Sequence, residues 1–151
     1  MSGTRWPPGL PLLVKIAPDL SYDEIDEVID VALATGIAGL IATNALKSLP
    51  PRLPGGLSGP PLRQKATDIV RHIHQQTHGR LPIIGVGGVR DAKSALEKLL
   101  AGASLVQVNT GLIYEGPSLV RSINQGLAAW MDSHGVKSVS ELMGAGVPSP
   151  A

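Results

Sequence analysis

The sequence predicts an α/β chain of four strand–helix units with parallel strands, on three observations. Short apolar runs alternate with segments whose apolar residues recur at helical spacing, the order that gives parallel strands joined by right-handed crossovers. One run, Leu81–Val89, closes on Gly85-Val86-Gly87-Gly88 and is followed by Asp91, a helix N-cap candidate. The polar features Lys15 and Asp19, Thr43 and Asn44, Gly87 and Gly88, Asn109 and Thr110 all fall within a strand or at its C-terminal end. That end is the functional face of parallel α/β folds.

Taken in order, Met1–Leu10 is a Pro- and Gly-containing lead expected to be disordered. Pro11–Ile16 reads as the first strand, stopped by Ala17-Pro18-Asp19. Ser21 and Glu24 form a capping box, Ile25, Val28, Ile29, Ala32 and Leu33 mark the inward helical face, and Gly36 closes the helix. Ala38–Thr43 is the second strand. Lys47–Pro61 reads as a long Pro- and Gly-rich loop, a length that is usually functional or disordered. A helix over about Leu62–Thr77 turns Ala66, Ile69, Val70 and Ile73 inward, and Gly79 ends it. After the third strand, a helix from Asp91 buries Ala95, Leu96, Leu99 and Leu100 and stops at Gly102. Ser104–Val108 is the fourth strand. Pro117 opens a last helix with Leu119, Val120, Ile123, Leu127 and Trp130 on one face, and the tail, Val136–Ala151, holds at most a short helix around Val139–Met143. A TIM barrel needs eight such units in about 250 residues. Four units over residues 11–135 therefore predict half a barrel.

Composition narrows the function classes. Apolar residues make up 43% of 151, so a packed core is expected. A formal net charge of +1 and 3% aromatics argue against nucleic acid as a partner. With no cysteine there is no disulfide framework and no thiolate chemistry. No apolar run approaches the roughly 18 residues of a membrane span, and the first ten residues lack a signal-peptide core. The expectation is a soluble, cytoplasmic chain.

Several positions carry chemistry. A strand that ends in glycines before a helix start can bring backbone N–H groups against a phosphate, and the helix terminus adds partial positive charge. Lys15 lies in an apolar strand, where a buried ammonium needs an anionic partner; the alternative is a lysine snorkelling from an edge. Asn44 offers both donor and acceptor to a planar ligand, although Thr43-Asn44 can also be a simple turn. Asp19 is a candidate acid or base by position, weighed against a cap or turn residue, and Asp23, Glu24, Asp26, Glu27 and Asp30 read as a solvated helix face. His74 and His78 have a metal-compatible i, i+4 spacing, yet they end a helix far from the strand tips, so no metal site is assigned.

These residues together resemble the quinone-dependent, class 2 dihydroorotate dehydrogenases. The resemblance rests on Val14-Lys15-Ile16-Ala17-Pro18-Asp19, Thr43-Asn44, Gly55-Gly56-Leu57-Ser58-Gly59, Ile83 to Val89, and Gly102 to Gln107, in the family's order from about Pro11 to Gly146. It implies a (β/α)₈ TIM barrel of which this chain corresponds to strands five to eight, the C-terminal half. The implied activity is oxidation of dihydroorotate to orotate in pyrimidine synthesis, with FMN as cofactor and a quinone as acceptor. By resemblance Lys15, Thr43, Gly59, Gly87, Gly88, Asn109 and Thr110 contact FMN, while Asn44 and Ala45 lie at the substrate.

The resemblance also implies what this stretch does not carry. The family's base is a serine on the loop after barrel strand four, so no catalytic residue is assigned here and Ser58 is not given that role. The quinone tunnel and membrane-surface helices belong to the family's N-terminal region. This chain has Ala45 where the family usually has Thr, Pro60 where Lys is common, and Asn109 where Tyr is usual, so Asn109 keeps a phosphate contact only through its backbone. Three expectations remain open: a part that works only with an N-terminal half, a half-barrel that pairs with itself and binds FMN or another phosphate, and an inactive remnant. Exposed strand edges and apolar inner faces make a lone monomer the least expected state.

Overall fold

The computed structural model describes residues 10–47 and 55–147. Four strands, β1 (Leu13–Ile16), β2 (Gly39–Ala42), β5 (Ile83–Val86) and β6 (Leu105–Gln107), form one sheet in the order β1-β2-β5-β6 with every pairing parallel. Between β2 and β5 a two-residue antiparallel ribbon joins β3 (Leu46–Lys47) to β4 (Gly56–Leu57). The helices are α1 (Tyr22–Thr35), α2 (Arg63–Thr77), α3 (Ala92–Leu100), α4 (Thr110–Glu115) and α5 (Ser118–His134). Short 3₁₀ turns cover Pro60–Leu62 and Val139–Leu142.

Side chains alternate across a parallel sheet, so residues in register share a face. One row, Ile16, Ala42, Gly85 and Val106, points at the helices. The adjacent row, Lys15, Ile41, Ile84 and Leu105, points away from them, and Leu105 is 63% exposed. The core lies on the helical side, where Ile25 and Ile29 of α1 and Ile69, Val70 and Ile73 of α2 pack on Ile16, Leu40 and Ile83. A smaller cluster joins Val89 and Ala95 to Leu119 and Ile123 of α5. Among the described residues, β1 and β6 are each paired on one side only.

Local chemistry explains where the helices begin. The Ser21 hydroxyl accepts from the Glu24 amide, while the Ser21 amide and hydroxyl donate to the Glu24 carboxylate and hold it below the usual carboxylate range. Asp91 caps α3 by accepting from the Ser94 amide at 2.7 Å. The buried Ser94 hydroxyl in return accepts from the amides of Arg90 and Asp91.

Several expectations are corrected. Leu33 and Val120 face solvent at 40% and 46% exposure, since each lies at the margin of its helix's apolar stripe. The loop expected over Lys47–Pro61 is partly ordered: β3 and β4 pair, and the Asp19 carboxylate accepts from the Lys47 amide at 3.1 Å. The rest of that loop, 48–54, the lead up to residue 9 and the tail from 148 lie outside the described residues. Helix α4 has no counterpart in the sequence reading. Lys98, a lysine to which the sequence attaches no role, is completely buried in α3.

Two predictions follow from these caps and this burial. Ser94→Ala strands two backbone amides and is expected to cost about 1–3 kcal/mol, read as a lower urea midpoint at unchanged slope. Burial lowers the Lys98 pKa from 10.5 to about 8. Below about pH 8 the ammonium is charged in both states and the folded state bears its desolvation. Between about 8 and 10.5 only the unfolded state keeps the proton, so stability should climb with pH through that window. Urea unfolding at pH 7.0 and 9.5, compared with Lys98→Met, checks this.

Candidate functional site

The C-terminal ends of the four long strands open onto a cavity of about 460 Å³, within the usual range for a cofactor or small-molecule cleft. It lies on the sheet face that the helices leave uncovered. Lys15, Thr43, Asn44, Ala45, Gly59, Gly87, Gly88, Asn109 and Thr110 all line it. The structure thus brings every sequence-derived binding candidate to one place. It also adds residues the sequence reading passed over, among them Val86, Arg90, Gln107 and Tyr114. Gln107 had a visible signal: an amide in an otherwise apolar strand, in register with Val86 on the open face.

At one end of the cavity, β5 runs into Gly87 and Gly88, whose φ values are +115° and +71°. That left-handed backbone suits glycine, and packing demands it as well. A Cβ on Gly88 would stand 2.7 Å from the Arg63 Cα, and one on Gly87 would stand 2.9 Å from the Ala66 Cβ. The glycine turn is therefore seated directly on the first turn of α2. The run into that helix begins at Gly59 and continues through Pro60 and Pro61, which have no N–H to offer an anion. Donors at this end come instead from the glycine turn and from Asn109, Thr110 and Gly111, where α4 begins without a side-chain cap. Ser58 and Thr110 join hydroxyls at 2.8 Å, which ties the β4 loop to α4.

At the other end, the Thr43 amide donates to the Val86 carbonyl and the Asn44 amide to the Ile16 carbonyl. The Ala42–Thr43 peptide is cis. Thr43 is 2% exposed, and its hydroxyl donates to the Asn44 carbonyl at 3.0 Å. The Asn44 Oδ1 accepts from the Ala45 amide, so the Asn44 Nδ2 is the group left to meet a ligand. Lys15 corrects the expectation of a buried ammonium. It is exposed on the open face, because β1 turns Val14 and Ile16, not Lys15, toward the helices. Asp19 holds the β3 backbone and does not line the cavity.

Packing behind the glycine turn is strongly charged. Arg63 makes two bonds to the Glu97 carboxylate, at 2.7 and 2.6 Å, which raise its pKa further. Two of the four histidines take structural places. His72 meets Asp26 at 2.6 Å and packs on the Tyr22 ring, while His74 fits between Gly102 and Gly144, where a Cβ would stand 2.2 Å from ring atoms. Among the described residues no group of three His, Cys, Asp or Glu could hold a metal, and no helix is long and apolar enough to cross a membrane.

Known proteins resemble this chain along most of its length. A family profile described as dihydroorotate dehydrogenase matches residues 8–131. Proteins named dihydroorotate dehydrogenase (quinone) are similar: one from Acaryochloris marina is 48% identical over 149 residues, covering 90% of this chain and 40% of that protein. One from Synechococcus is 55% identical over 132 residues, covering 79% of this chain and 35% of the relative. The ligand-free crystal structure of DHODH from Eimeria tenella superposes with a TM-score of 0.84 at 37% identity, covering 91% of this chain and 40% of that one. A complex of the Eimeria tenella protein with ferulenol gives 0.82 at 38% identity, covering 89% of this chain and 38% of that one. The chain spans about 40% of the length of such curated relatives. Its parallel α/β architecture is that of the TIM-barrel folds, and the chain belongs to the dihydroorotate dehydrogenase family.

Proposed function

We propose that this chain supplies four of the eight strands of a dihydroorotate dehydrogenase barrel, and with them the phosphate end and one edge of an FMN site. The proposed reaction is oxidation of dihydroorotate to orotate with a quinone as final acceptor. The observation that carries this reading is the convergence of Lys15, Asn44, Gly87, Gly88 and Thr110 on one cavity at the strand tips, in a chain of this family.

The residues present fit the cofactor. Backbone amides at Gly87, Gly88, Thr110 and Gly111 suit a phosphate, and the absence of Cβ atoms at 87 and 88 lets the turn that carries two of them sit against α2. On the open face Lys15 stands at one margin in register with Ile41, and Val86, which lines the cavity with it, adds apolar surface for a ring system. FMN, when bound, supplies the two-electron acceptor that oxidation of dihydroorotate requires. The Lys15 ammonium, free of carboxylate partners among the described residues, stabilises negative charge that develops above the sheet. Asn44 presents its amide nitrogen to the substrate, and Ala45 leaves space without adding a donor. Ser58 has its hydroxyl engaged with Thr110, so its work is to hold the loop.

The open face bears on the partner. Leu13 and Leu105 are 37% and 63% exposed on it, and both edge strands have unpaired sides among the described residues. A parallel sheet of this kind is buried on both faces in stable folds. The proposed cover is the complementary four strands of the barrel, or a second copy of this chain in their place.

Two experiments test these statements. An absorbance scan of the purified chain loaded with FMN, run beside a sizing column, should show flavin co-eluting at more than monomer mass. Colourless protein of monomer mass overturns a second copy as the cover, and the whole reading falls if the N-terminal half of a relative added in trans restores no flavin. Gly88→Ala, which drives a methyl into the Arg63 backbone, should weaken FMN at least tenfold, and Lys15→Ala should weaken it by about three- to tenfold, by fluorescence titration.

A further inference from the structure

Lys98 is the largest completely buried side chain in the described structure. Its stem runs beneath β5 in space opened by Gly85, where a Cβ would stand 3.1 Å from the Lys98 Cβ. An ammonium in such a place ordinarily faces a carboxylate. Here Nζ donates to the Arg63 carbonyl at 2.9 Å and to the Thr67 hydroxyl. Thr67 itself donates to the same Arg63 carbonyl at 2.8 Å, closing a three-membered ring of bonds. The neighbouring Glu97 holds the other end of Arg63 through its guanidinium. Consecutive residues of α3 thus grip one residue of α2 by its backbone and by its side chain. That residue is the one on which Gly88 rests, with 2.7 Å between the Arg63 Cα and a Cβ placed on Gly88.

We infer that Lys98 is a positioning residue for the anion end of the cavity: by fixing the Arg63 carbonyl it sets the seat of the Gly87–Gly88 turn and hence the aim of its amides. The inference rests on the reading of that turn as a phosphate site. Stability alone does not account for the residue. Burial drives its pKa down toward about 8, so the charge is held at a cost. Methionine would fill the same space, and removing Nζ orphans nothing, because Thr67 still satisfies the Arg63 carbonyl. What the ammonium adds is direction: two bonds that fix one carbonyl.

The test compares wild type with Lys98→Met in the full chain, by fluorescence titration with FMN and with riboflavin, which lacks the phosphate. Lys98→Met should hold or raise its urea midpoint at pH 7, lose about tenfold in FMN affinity, and hold riboflavin within about twofold. Equal weakening of both flavins, or no weakening of either, overturns the inference. Thr67→Val, which removes one acceptor and keeps Lys98, should shift the FMN-to-riboflavin ratio in the same direction; an unchanged ratio counts against the inference, and this variant decides it should Lys98→Met fail to fold. If wild type does not prefer FMN to riboflavin, the phosphate reading itself fails. The amide resonances of ligand-free protein then decide about Lys98. Displacement at Gly87 and Gly88 with Thr110 unmoved supports the positioning role, and unmoved glycines overturn it.

Discussion

Helices cover one face of this parallel sheet and leave the other bare among the described residues. Parallel strands are ordinarily buried on both faces, so this asymmetry governs the rest of the molecule. It explains why β1 can carry Lys15 in an apolar strand: the ammonium is on the uncovered side while Val14 and Ile16 meet α1 and α2. It places Thr43, Val86 and Gln107, one row further along the strands, at the rim of the cavity. The same surface that makes a site also makes an apolar liability, and one partner surface would resolve both.

Much of this was legible in the sequence because period and punctuation agree. Ser21 with Glu24, and Asp91 after the glycines, mark helix starts that the structure reproduces as capping boxes. The apolar runs announce the four strands, although each is trimmed at one or both ends, since ladder pairing stops where the chain turns away. The ribbon of β3 and β4 was not legible. Two-residue strands have no periodicity, and this one depends on Asp19, which is distant in sequence from Lys47. Helix α4 escaped for a related reason: none of its residues is buried, so no apolar stripe records it.

Among the site residues, identity was easier to read than environment. The glycine motifs mark Gly87 and Gly88, but only the packing of Arg63 and Ala66 shows that two neighbouring elements are fitted to that turn. Lysine at position 98 resembles any solvated helical lysine in sequence. Its burial is a tertiary fact, created by the missing side chain of Gly85 and the carbonyl of Arg63. The reverse holds for Lys15, which an apolar strand suggests is buried and which the sheet turns outward. Charge in an apolar context therefore signals an unusual setting without revealing which face the residue takes.

The strand order has a consequence for how the chain acquires its shape. Among the described residues each long strand lies beside the next long strand in sequence, with no strand inserted later between two earlier ones. Every pairing in the sheet can then form as soon as its second strand leaves the ribosome, and none has to reopen to admit a latecomer. The closing 3₁₀ turn follows the same logic: after it, Gly144 and Gly146 donate to the carbonyls of Leu99 and Leu100, fastening the last described segment onto elements already in place. Assembly can proceed from one terminus toward the other, and the bare sheet face stays available to a partner throughout.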